Sequence, residues 1–470
     1  MSTENTHYGA EAIGRFLSKD SCKKIFFCGV GGVNMSSLAE VTLDQGYSVS
    51  GSDRQPSPST ERLVLKGAEI FYGHDKNNLD DADVFVYTVA ISQDNPEYVR
   101  AGEMGIPRIS RADYLGYLMT AFNNRLGICG THGKSTTTAM CASIFEAAGR
   151  DPSVMCGAKL KSCGSTYRHG SMNDLVFEAC EYMDSFLDFN PTAVLILNVE
   201  LDHVDYFHSM EQMRASYGRF AALTGESGTV ICNADDEEAM LSIRDYKGKL
   251  ITFGIDARNA NVRAEALTES RGAFSFDLVY NGERLTRVDL KSAGRHILSD
   301  ALGAAAAALA HGISPKDIAA GLAEFSGIGR RMEYKGSLNG ARVYDDYAHH
   351  PTEVTASLSA ARSAASGRLI CLFQSHTFSR TYALMNELGE ALSLADEVLI
   401  APIFPAREEN LWGVSQYSLA DAVTGGAVPC ASFEDCAQKL TDMAKIGDTI
   451  IVMGAGDVDK VFGMIKLCEK

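Results

Sequence analysis

The sequence has 470 residues, which is too long for one hydrophobic core and predicts about three domains. It is 46% hydrophobic and 22% charged, as in ordinary globular proteins, and no apolar run approaches the roughly 18 residues of a membrane-spanning helix. The net charge of −17 argues against nucleic-acid binding and means that an anionic ligand must be met by local positive charge.

The N-terminus and the cysteines both predict a cytoplasmic protein. The first 16 residues contain neither the basic stretch nor the apolar stretch of a secretion signal. The 12 cysteines are dispersed, without the C-x-x-C pairs typical of zinc or redox sites. We therefore expect buried, reduced thiols and no association with a membrane.

Residues 23–53 have the pattern of a Rossmann-type βαβ unit. Its predicted parts are a strand at 25–28, a glycine turn at 29–32, a helix at 35–45 and a strand at 47–50. Asn34 stands where the dinucleotide fingerprint has its third glycine, so the fingerprint is incomplete. We expect a phosphate-bearing nucleotide on the turn (Gly29, Gly31, Gly32), with Asp53 near its ribose or base.

Two further strands are predicted at 69–72 and 84–88. His74 follows the first of them, while Thr88 and Glu97 come at or after the end of the second. Ligands of α/β proteins bind at the carboxyl ends of strands, so His74 and Thr88 are candidate ligand contacts.

Residues 126–138, LGICGTHGKSTTT, predict a nucleoside triphosphate site. An apolar strand ends at a glycine, and a helix follows to about residue 148, which is the arrangement of a phosphate-binding loop. The spacing G-x-x-G-K-S is shorter than in the common P-loop. Lys134 would supply a positive charge and Ser135 a hydroxyl ligand for Mg²⁺. The residues expected to bind ATP here are Gly130, Thr131, His132, Gly133, Lys134, Ser135 and Thr136.

Acidic residues and a histidine follow the next two predicted strands. The strand at 176–180 delivers Glu178 and Glu181, and the strand at 194–199 is followed by His203. Carboxylates near a phosphate loop are what a magnesium–ATP site requires. Later strands are predicted at 229–233 and 250–253, followed by a peripheral hairpin within 262–284 that turns at Asn281-Gly282.

A third section begins near residue 329 and is predicted to form a parallel α/β sheet. Its expected strands are 341–347, 368–374, 397–403 and 449–453. Polar residues cluster where these strands end, at 346–351, 374–376, 405–408 and 454–457. Four such clusters on one face of a sheet indicate a binding surface.

Together these motifs resemble the Mur ligase family, in order along nearly the whole chain. The matching segments are GVGGVNMSSLA, GTHGKSTTT, EACEYMDSFL, NVELDHVDYF, GRRMEYKG, DDYAHHPTE, HTFSRT and GAGD. The resemblance implies an α/β fold with three-domain Mur ligase architecture. The implied domains are a Rossmann-like UDP-substrate domain at 1–120, a P-loop ATPase-like domain at 121–326 and a Rossmann-like amino-acid domain at 327–470.

The resemblance also implies a reaction, in which L-alanine is joined to the carboxylate of UDP-N-acetylmuramate through an acyl phosphate. The implied role is peptidoglycan precursor synthesis in the cytoplasm, with ATP and Mg²⁺ and as a monomer or weak homodimer. A carboxylate is a poor electrophile, so its phosphorylation by ATP before the amine attacks is also what chemistry requires. Catalysis then consists of positioning and of neutralising charge.

Site residues carry over by position in the motifs. The catalytic set is Lys134, His203 and His349, and the metal set is Ser135, Glu178 and His203. Beyond the loop, ATP would contact His296, Asp300 and Arg331. The substrate-facing residues of the third section would be Asp346, His349, His376 and Arg380.

The chain also departs from the family pattern, and other interpretations stay open. Ile297 and Asp300 stand where the family has asparagines at the adenine, and Tyr217 stands where other members carry a carbamylated lysine, so no carbamate is expected. The alternatives are a recycling ligase that adds a tripeptide, a non-catalytic UDP-sugar-binding regulator, and a nicotinamide oxidoreductase built on residues 29–53.

Overall fold

The computed structural model describes residues 8–18, 20, 22–88, 91–203, 206–406 and 408–468, so Arg407 of the third polar cluster lies outside the described residues. The chain divides into two compact units. The first extends to Thr138 and includes Gly149–Ile251, and the second comprises Ala139–Ala148 and the chain from Thr252 onward. No described helix is both long enough and apolar enough to span a bilayer.

The N-terminal part of the first unit is a five-stranded parallel sheet with helices. Its strands are β1 (Lys24–Cys28), β2 (Ser48–Asp53), β3 (Glu69–Tyr72), β4 (Val84–Tyr87) and β5 (Arg108–Ser110). Its helices are α1 (Ala10–Phe16), α2 (Val33–Asp44), α3 (Pro58–Leu65), α4 (Pro96–Met104) and α5 (Arg111–Met119). The strand order is β3-β2-β1-β4-β5, so the order reverses beside β1, where ligands of such sheets bind.

The burial of β1 explains its continuous apolar sequence. Ile25 and Phe27 belong to one buried hydrophobic cluster, whereas Phe26 and Cys28 belong to another, so both faces of the strand are covered. The predicted βαβ unit is confirmed, although α2 begins at Val33, two residues earlier than predicted. The helix can begin there because Gly32 lies directly before it in extended conformation as the N-cap.

The rest of the first unit carries most of a ten-stranded sheet. Its strands are β6 (Asn124–Cys129), β7 (Pro152–Leu160), β8 (Ser165–Arg168), β9 (Ser171–Glu178), β10 (Ala193–Ile196) and β11 (Thr229–Asn233). Its helices are α6 (Lys134–Ala147), which continues into the second unit, α7 (Met210–Ala222) and α8 (Glu237–Ser242). The order is β8-β7-β9-β6-β10-β11, with β6 parallel to both β9 and β10. The phosphate loop therefore follows directly after a central strand of the sheet, β6.

The second unit contains the remaining strands of that sheet and two helices. They are β12 (Lys249–Gly254, which spans the boundary), β13 (Val262–Ser270), β14 (Ala273–Tyr280), β15 (Glu283–Ala293), α9 (Arg295–Ala310) and α10 (Pro315–Glu324). The predicted hairpin is confirmed as β14 and β15, and it turns at Asn281 and Gly282, both with positive φ. Antiparallel β13 extends it to three strands.

A six-stranded sheet completes the second unit. Its strands are β16 (Glu333–Leu338), β17 (Ala341–Asp346), β18 (Leu369–Phe373), β19 (Glu397–Ile400), β20 (Val428–Pro429) and β21 (Thr449–Met453). Its helices are α11 (Pro351–Ala364), α12 (Phe378–Ala383), α13 (Met385–Leu392), α14 (Gln416–Ala422) and α15 (Phe433–Met443). The strand order is β16-β17-β21-β18-β19-β20.

The four strands predicted for the third section are confirmed as parallel neighbours, and the structure adds an antiparallel strand at one edge. β16 pairs antiparallel with β17 through a two-residue turn at Asn339-Gly340, where both residues have positive φ. An Asn-Gly turn of this kind joins antiparallel neighbours, so β16 lies along the edge of the sheet. The domain boundaries after residues 120 and 326 fall between the three sets of strands and stay a prediction.

Close approach of α10 to α6 inside the second unit gives a stability prediction. A Cβ on Gly321 would lie 2.4 Å from the Ile144 Cα, and Ser143 Oγ donates to the Gly321 carbonyl at 2.7 Å. We expect Gly321→Ala to destabilise the protein by about 1–3 kcal/mol because the helices must separate. Denaturant unfolding measures this, and Gly463→Ala, where a Cβ meets nothing within 4 Å, is the control. Equal stability of both variants would contradict the packing.

Candidate active site

The phosphate loop connects β6 to α6 and depends on glycine. Gly130 has φ of 147° and Gly133 has φ of 83°. A Cβ on Gly130 would lie 3.0 Å from the Leu197 Cβ and 3.2 Å from the Asn198 backbone nitrogen, so a side chain does not fit. The N-terminal N–H groups of α6 follow directly, and such groups attract anions.

Asn198 holds the loop in place from the end of β10. The His132 N–H donates to Asn198 Oδ1 at 2.8 Å, and Asn198 Nδ2 donates back to the His132 carbonyl at 3.1 Å. The Thr131 N–H donates to the Asn198 carbonyl at 3.2 Å. The His132 ring also lies 2.9 Å from Glu200 Oε2. The backbone of the loop is therefore held in position by hydrogen bonds to Asn198.

Lys134 forms a buried ion pair at the base of the loop. Its Nζ donates to the Gly130 carbonyl at 2.5 Å and lies 3.1 Å from Glu181 Oε2, and the Glu181 side chain is 0% exposed. Burial alone lowers the pKa of Lys134, but the charges of Glu181 and Glu178 outweigh it and raise the pKa above its ordinary value. The ammonium group therefore stays charged.

Ser135 and Glu178 place two oxygen atoms side by side. Ser135 Oγ donates to Glu178 Oε2 at 2.7 Å, and the Gly157 N–H donates to the same oxygen at 2.7 Å. A Cβ on Gly157 would lie 2.9 Å from that carboxylate, so β7 approaches it closely. A hydroxyl and a carboxylate are ligands of the kind that Mg²⁺ prefers.

His203 lies near the same acidic residues. Its Nε2 is 3.9 Å from Glu181 Oε1, and its ring contacts that of Tyr182 with centroids 4.6 Å apart. The segment after Glu181 is fixed by Asp184, which accepts hydrogen bonds from the Tyr206 hydroxyl and from Arg219. The structure thus brings the four predicted residues Lys134, Ser135, Glu178 and His203 together with one further carboxylate, Glu181.

The glycine turn after β1 packs against Asp53 at the end of β2. The Gly31 N–H donates to Asp53 Oδ2 at 2.8 Å, and the Arg54 N–H donates to Oδ1 at 2.7 Å. Gly29 has φ of 80°, and a Cβ there would lie 3.2 Å from Thr88 Cγ2. The predicted substrate residues of this sheet therefore meet at one edge. His74 also lies at this edge, with Nδ1 2.9 Å from Glu97 Oε2.

In the second unit, polar side chains gather at the carboxyl ends of β17 and β18. Asp346 is buried and accepts N–H groups of Met332 and Ala348 at 2.9 and 2.8 Å. Burial raises its pKa, against the opposing effect of Arg331. Asp346 therefore shapes the backbone before α11.

The two histidines of this edge have defined hydrogen-bond roles. His349 Nδ1 lies 3.1 Å from the Tyr347 carbonyl, which only accepts, so Nδ1 is the donor in this contact. Arg380 Nη1 lies 3.4 Å from His376 Nδ1, and since arginine only donates, that nitrogen accepts. The two imidazole rings are 5.9 Å apart. His349, His376 and Arg380 thus form one cluster.

The other predicted ATP contacts, His296, Asp300 and Arg331, also lie in the second unit. His296 is in the first turn of α9 and Asp300 is buried in the same helix. Burial and the nearby Arg331 lower the pKa of His296 to about 4, although Glu353 opposes them. Arg331 Nη1 is 3.6 Å from Glu353 Oε1. Their contact with ATP stays a prediction.

Three glutamates were left out of the predicted sets of site residues, although both Glu181, near the phosphate loop, and Glu97, after a strand, were noted in the sequence. Glu181 pairs with Lys134, Glu97 contacts His74, and Glu353 lies 3.3 Å from His349 Nδ1. Each occurs within a few residues after a strand or at the start of a helix, which was the available signal. Two of the pairings depend on the fold, because Glu181 is 47 residues from Lys134 and Glu97 is 23 residues from His74. Glu353 and His349 are only four residues apart.

Together, the parallel sheets and the phosphate loop define an α/β protein with a candidate nucleotide-binding site. Three family models match the chain: Mur ligase family, catalytic domain, at residues 24–123; Mur ligase middle domain, at 128–308; and Mur ligase, glutamate ligase domain, at 330–456. The chain therefore belongs to the Mur ligase family and has its three-domain fold.

Individual relatives agree with this assignment. The chain is 42% identical to UDP-N-acetylmuramate–L-alanine ligase of Clostridium novyi, over 94% of this chain and 97% of that protein, and 40% identical to the protein of that name from Acetivibrio thermocellus, over 95% and 96%. The crystal structure of UDP-N-acetylmuramate-alanine ligase MurC from Thermotoga maritima has a TM-score of 0.79 at 26% identity, covering 94% of this chain and 97% of that one.

A murein peptide ligase from Psychrobacter arcticus has a TM-score of 0.71 at 23% identity, covering 95% of this chain and all of that one. At that level of identity the likeness shows the fold alone.

The lowered pKa of His296 gives a pH prediction. The folded protein resists protonation of this imidazole down to about pH 4, whereas an unfolded chain takes the proton near pH 6.5. The stabilising effect of neutral His296 is therefore complete above about pH 6.5 and is lost as the pH falls toward 4.

Because the residue His296 as a whole is half-buried rather than fully buried, we expect a loss of about 1–3 kcal/mol over this range. Denaturant unfolding of the parent and of His296→Gln should give pH profiles that differ by this amount. His208→Gln, at an exposed histidine, is the control and should follow the parent. Parallel profiles of parent and His296→Gln would contradict the assignment.

Proposed function

We propose that this protein joins L-alanine to the carboxylate of UDP-N-acetylmuramate and converts ATP to ADP and phosphate. The observation that carries the proposal is a pair of interactions at the phosphate loop. Lys134 forms an ion pair with Glu181, and the Ser135 hydroxyl donates a hydrogen bond to Glu178. The relatives named above, at 40–42% identity over at least 94% of the chain, support alanine as the amino acid and this sugar nucleotide as the acceptor.

The chemistry needs two steps. The sugar carboxylate attacks the γ-phosphorus of ATP, which forms an acyl phosphate and releases ADP. The alanine amine then attacks the acyl carbon, and the tetrahedral intermediate expels inorganic phosphate. Both steps build negative charge on oxygen, so fixed positive groups and N–H donors lower their barriers.

Lys134 and the N-terminus of α6 would serve the phosphoryl transfer. The ammonium group is already positioned by two carbonyls and by Glu181, so it need not reorganise when the γ-phosphate arrives. Bound Mg²⁺ would neutralise further phosphate charge, and Ser135, Glu178 and His203 fit as residues that would hold it. Gly130, Thr131, His132, Gly133 and Thr136 complete the loop around the phosphates.

The remaining groups divide between the two other substrates and the nucleoside of ATP. The UDP moiety would lie on Gly29, Gly31 and Gly32 with Asp53, His74 and Thr88. Alanine would lie among Asp346, His349, His376 and Arg380. Since Nδ1 of His349 donates to the Tyr347 carbonyl, Nε2 is the ring nitrogen that would accept the amine proton. His296, Asp300 and Arg331 would contact the rest of ATP.

The competing interpretations differ in what turns over. A tripeptide-adding ligase would use ATP with the same sugar nucleotide but with a peptide, and a regulator would bind UDP-sugar without turnover. An oxidoreductase would leave the phosphate loop without a role. Phosphate release measured with UDP-N-acetylmuramate and L-alanine, and with tripeptide instead, distinguishes them. The 12 cysteines all lie among the described residues and form no disulfide, which supports a cytoplasmic reaction, and a monomer or weak homodimer is expected.

Lys134→Ala should lower stability, since it leaves Glu181 without its partner, and it should abolish ligation. The folded variant should keep its affinity for the sugar nucleotide, because the removed charge serves the transferring phosphoryl group. We expect kcat to fall at least about 10³-fold. Steady-state phosphate release and calorimetric titration with UDP-N-acetylmuramate measure the two effects. Lys316→Ala, at an exposed lysine of α10, is the control. Equal loss of binding and activity would contradict this division of roles.

Glu178→Gln should raise the Mg²⁺ concentration that gives half-maximal activity by about tenfold or more, because it removes a charged ligand oxygen. Activity should partly recover at high Mg²⁺. The measurement is phosphate release across a magnesium titration at saturating substrates, with Glu226→Gln as an exposed control. A magnesium profile identical to that of the parent would exclude Glu178 from the metal site.

A further inference from the structure

A second group of potential metal ligands lies at the carboxyl edge of the first sheet, apart from the phosphate loop. Cys28 is the last residue of β1, His74 follows β3 by two residues, and Glu97 is the second residue of α4. The parallel strands β1 to β3 end on the same edge, and α4 begins there, so these three side chains converge.

The distances between the three side chains suit one metal ion. Cys28 Sγ lies 3.0 Å from Glu97 Oε2 and 3.8 Å from His74 Nδ1, and His74 Nδ1 lies 2.9 Å from Glu97 Oε2. Tetrahedral Zn²⁺, with bonds of about 2.3 Å to sulfur and about 2.0–2.1 Å to nitrogen and oxygen, spaces such ligands roughly 3.3–3.6 Å apart. Side-chain shifts of roughly half an ångström would therefore complete the geometry.

Two neighbouring residues, Asn78 and Ser52, orient these ligands through hydrogen bonds. Asn78 Nδ2 donates to Glu97 Oε1 at 2.7 Å and to the Gly73 carbonyl at 3.2 Å, which leaves Oε2 for the cluster and fixes the chain next to His74. Ser52 Oγ donates to Glu97 Oε2 at 2.6 Å and lies 3.0 Å from His74 Nδ1. Outer partners of this kind orient metal ligands.

The cluster is buried but has one open side. Cys28, Ser52 and Glu97 are 0% exposed, whereas the His74 side chain is 20% exposed, so an ion would enter past the imidazole. A thiol is a weak hydrogen-bond donor and adds little to a purely structural network around Glu97. A thiolate is, by contrast, a strong ligand for soft divalent ions, and Cys, His and Glu together suit Zn²⁺ rather than Mg²⁺.

We propose that Cys28 Sγ, His74 Nδ1 and Glu97 Oε2 bind one Zn²⁺ ion, with the fourth position filled by water. On binding, the Cys28 thiol gives its proton to water and the sulfur electron pair forms the Zn–S bond. The imidazole binds in its neutral form with hydrogen on Nε2. The site is distinct in ligand type from the oxygen-rich pair Ser135 and Glu178.

Zinc at this position would also act on substrate binding. It would fix the His74 ring, which is among the proposed contacts of the sugar nucleotide, so Zn²⁺ should inhibit in competition with UDP-N-acetylmuramate. This consequence rests on the proposed function, whereas zinc binding itself does not.

The test uses the chelator-treated, full-length protein and Co²⁺ as a spectroscopic probe. One equivalent of Co²⁺ should give a thiolate-to-cobalt charge-transfer band and the visible bands of tetrahedral cobalt, and Zn²⁺ should displace it. Cys28→Ser should lose the charge-transfer band and weaken zinc binding at least about tenfold. Asn78→Ala should keep the band and weaken binding about 10–100-fold.

Cys22→Ser is the matched control, because Cys22 is another buried cysteine of the same unit, and it should keep both the band and the affinity. X-ray absorption of the zinc-loaded parent gives a reading free of folding effects and should show one sulfur and three nitrogen or oxygen neighbours.

A band that survives in Cys28→Ser, or a zinc site without sulfur, would overturn the proposal and assign the metal to other groups, such as the exposed Cys163, Cys180 or Cys468. Zinc binding without competition would leave the metal site standing and contradict only the placement of the sugar nucleotide at His74.

Discussion

The buried ion pair between Lys134 and Glu181 is the interaction on which the rest of the candidate site depends. Glu181 has no exposed surface, so its charge is tolerated only while the ammonium group lies against it. Removing one partner of such a pair typically costs about 3–5 kcal/mol. The same pair aims the lysine at the loop and places Glu181 next to His203. Stability and the geometry of the candidate site are therefore coupled at this point.

A second constraint is the shared direction of parallel strands. In each of the three sheets, polar groups lie at or just after the carboxyl ends of the parallel strands: Asp53 and His74 in the first, Lys134 and Glu178 in the second, Asp346 and His376 in the third. Neighbouring parallel strands bring such loops together without regard to their distance in sequence. One architectural rule thus produces a phosphate site, a candidate substrate edge and a candidate zinc cluster.

Local patterns predicted much of this structure correctly. The phosphate loop, the first βαβ unit and the Asn281-Gly282 hairpin each occupy a short segment whose glycines and apolar runs specify one backbone path. The edge strand β16 was not predicted because its sequence is mixed in polarity, although Asn339-Gly340 is a typical hairpin-turn sequence. The positive φ of His203 and of Asp184 also had no sequence signal, since neither residue is glycine.

The sequence by itself determined the class of fold, the phosphate loop and the family resemblance, because these depend on spacings within a few residues. Only the tertiary structure decided the partners of the charged groups. Glu181 is 47 residues from Lys134, Glu97 is 69 residues from Cys28, and Asp53 is 22 residues from Gly31. Hydrogen bonds and ion pairs depend on distance in space, and folding sets that distance through the order of the strands in each sheet.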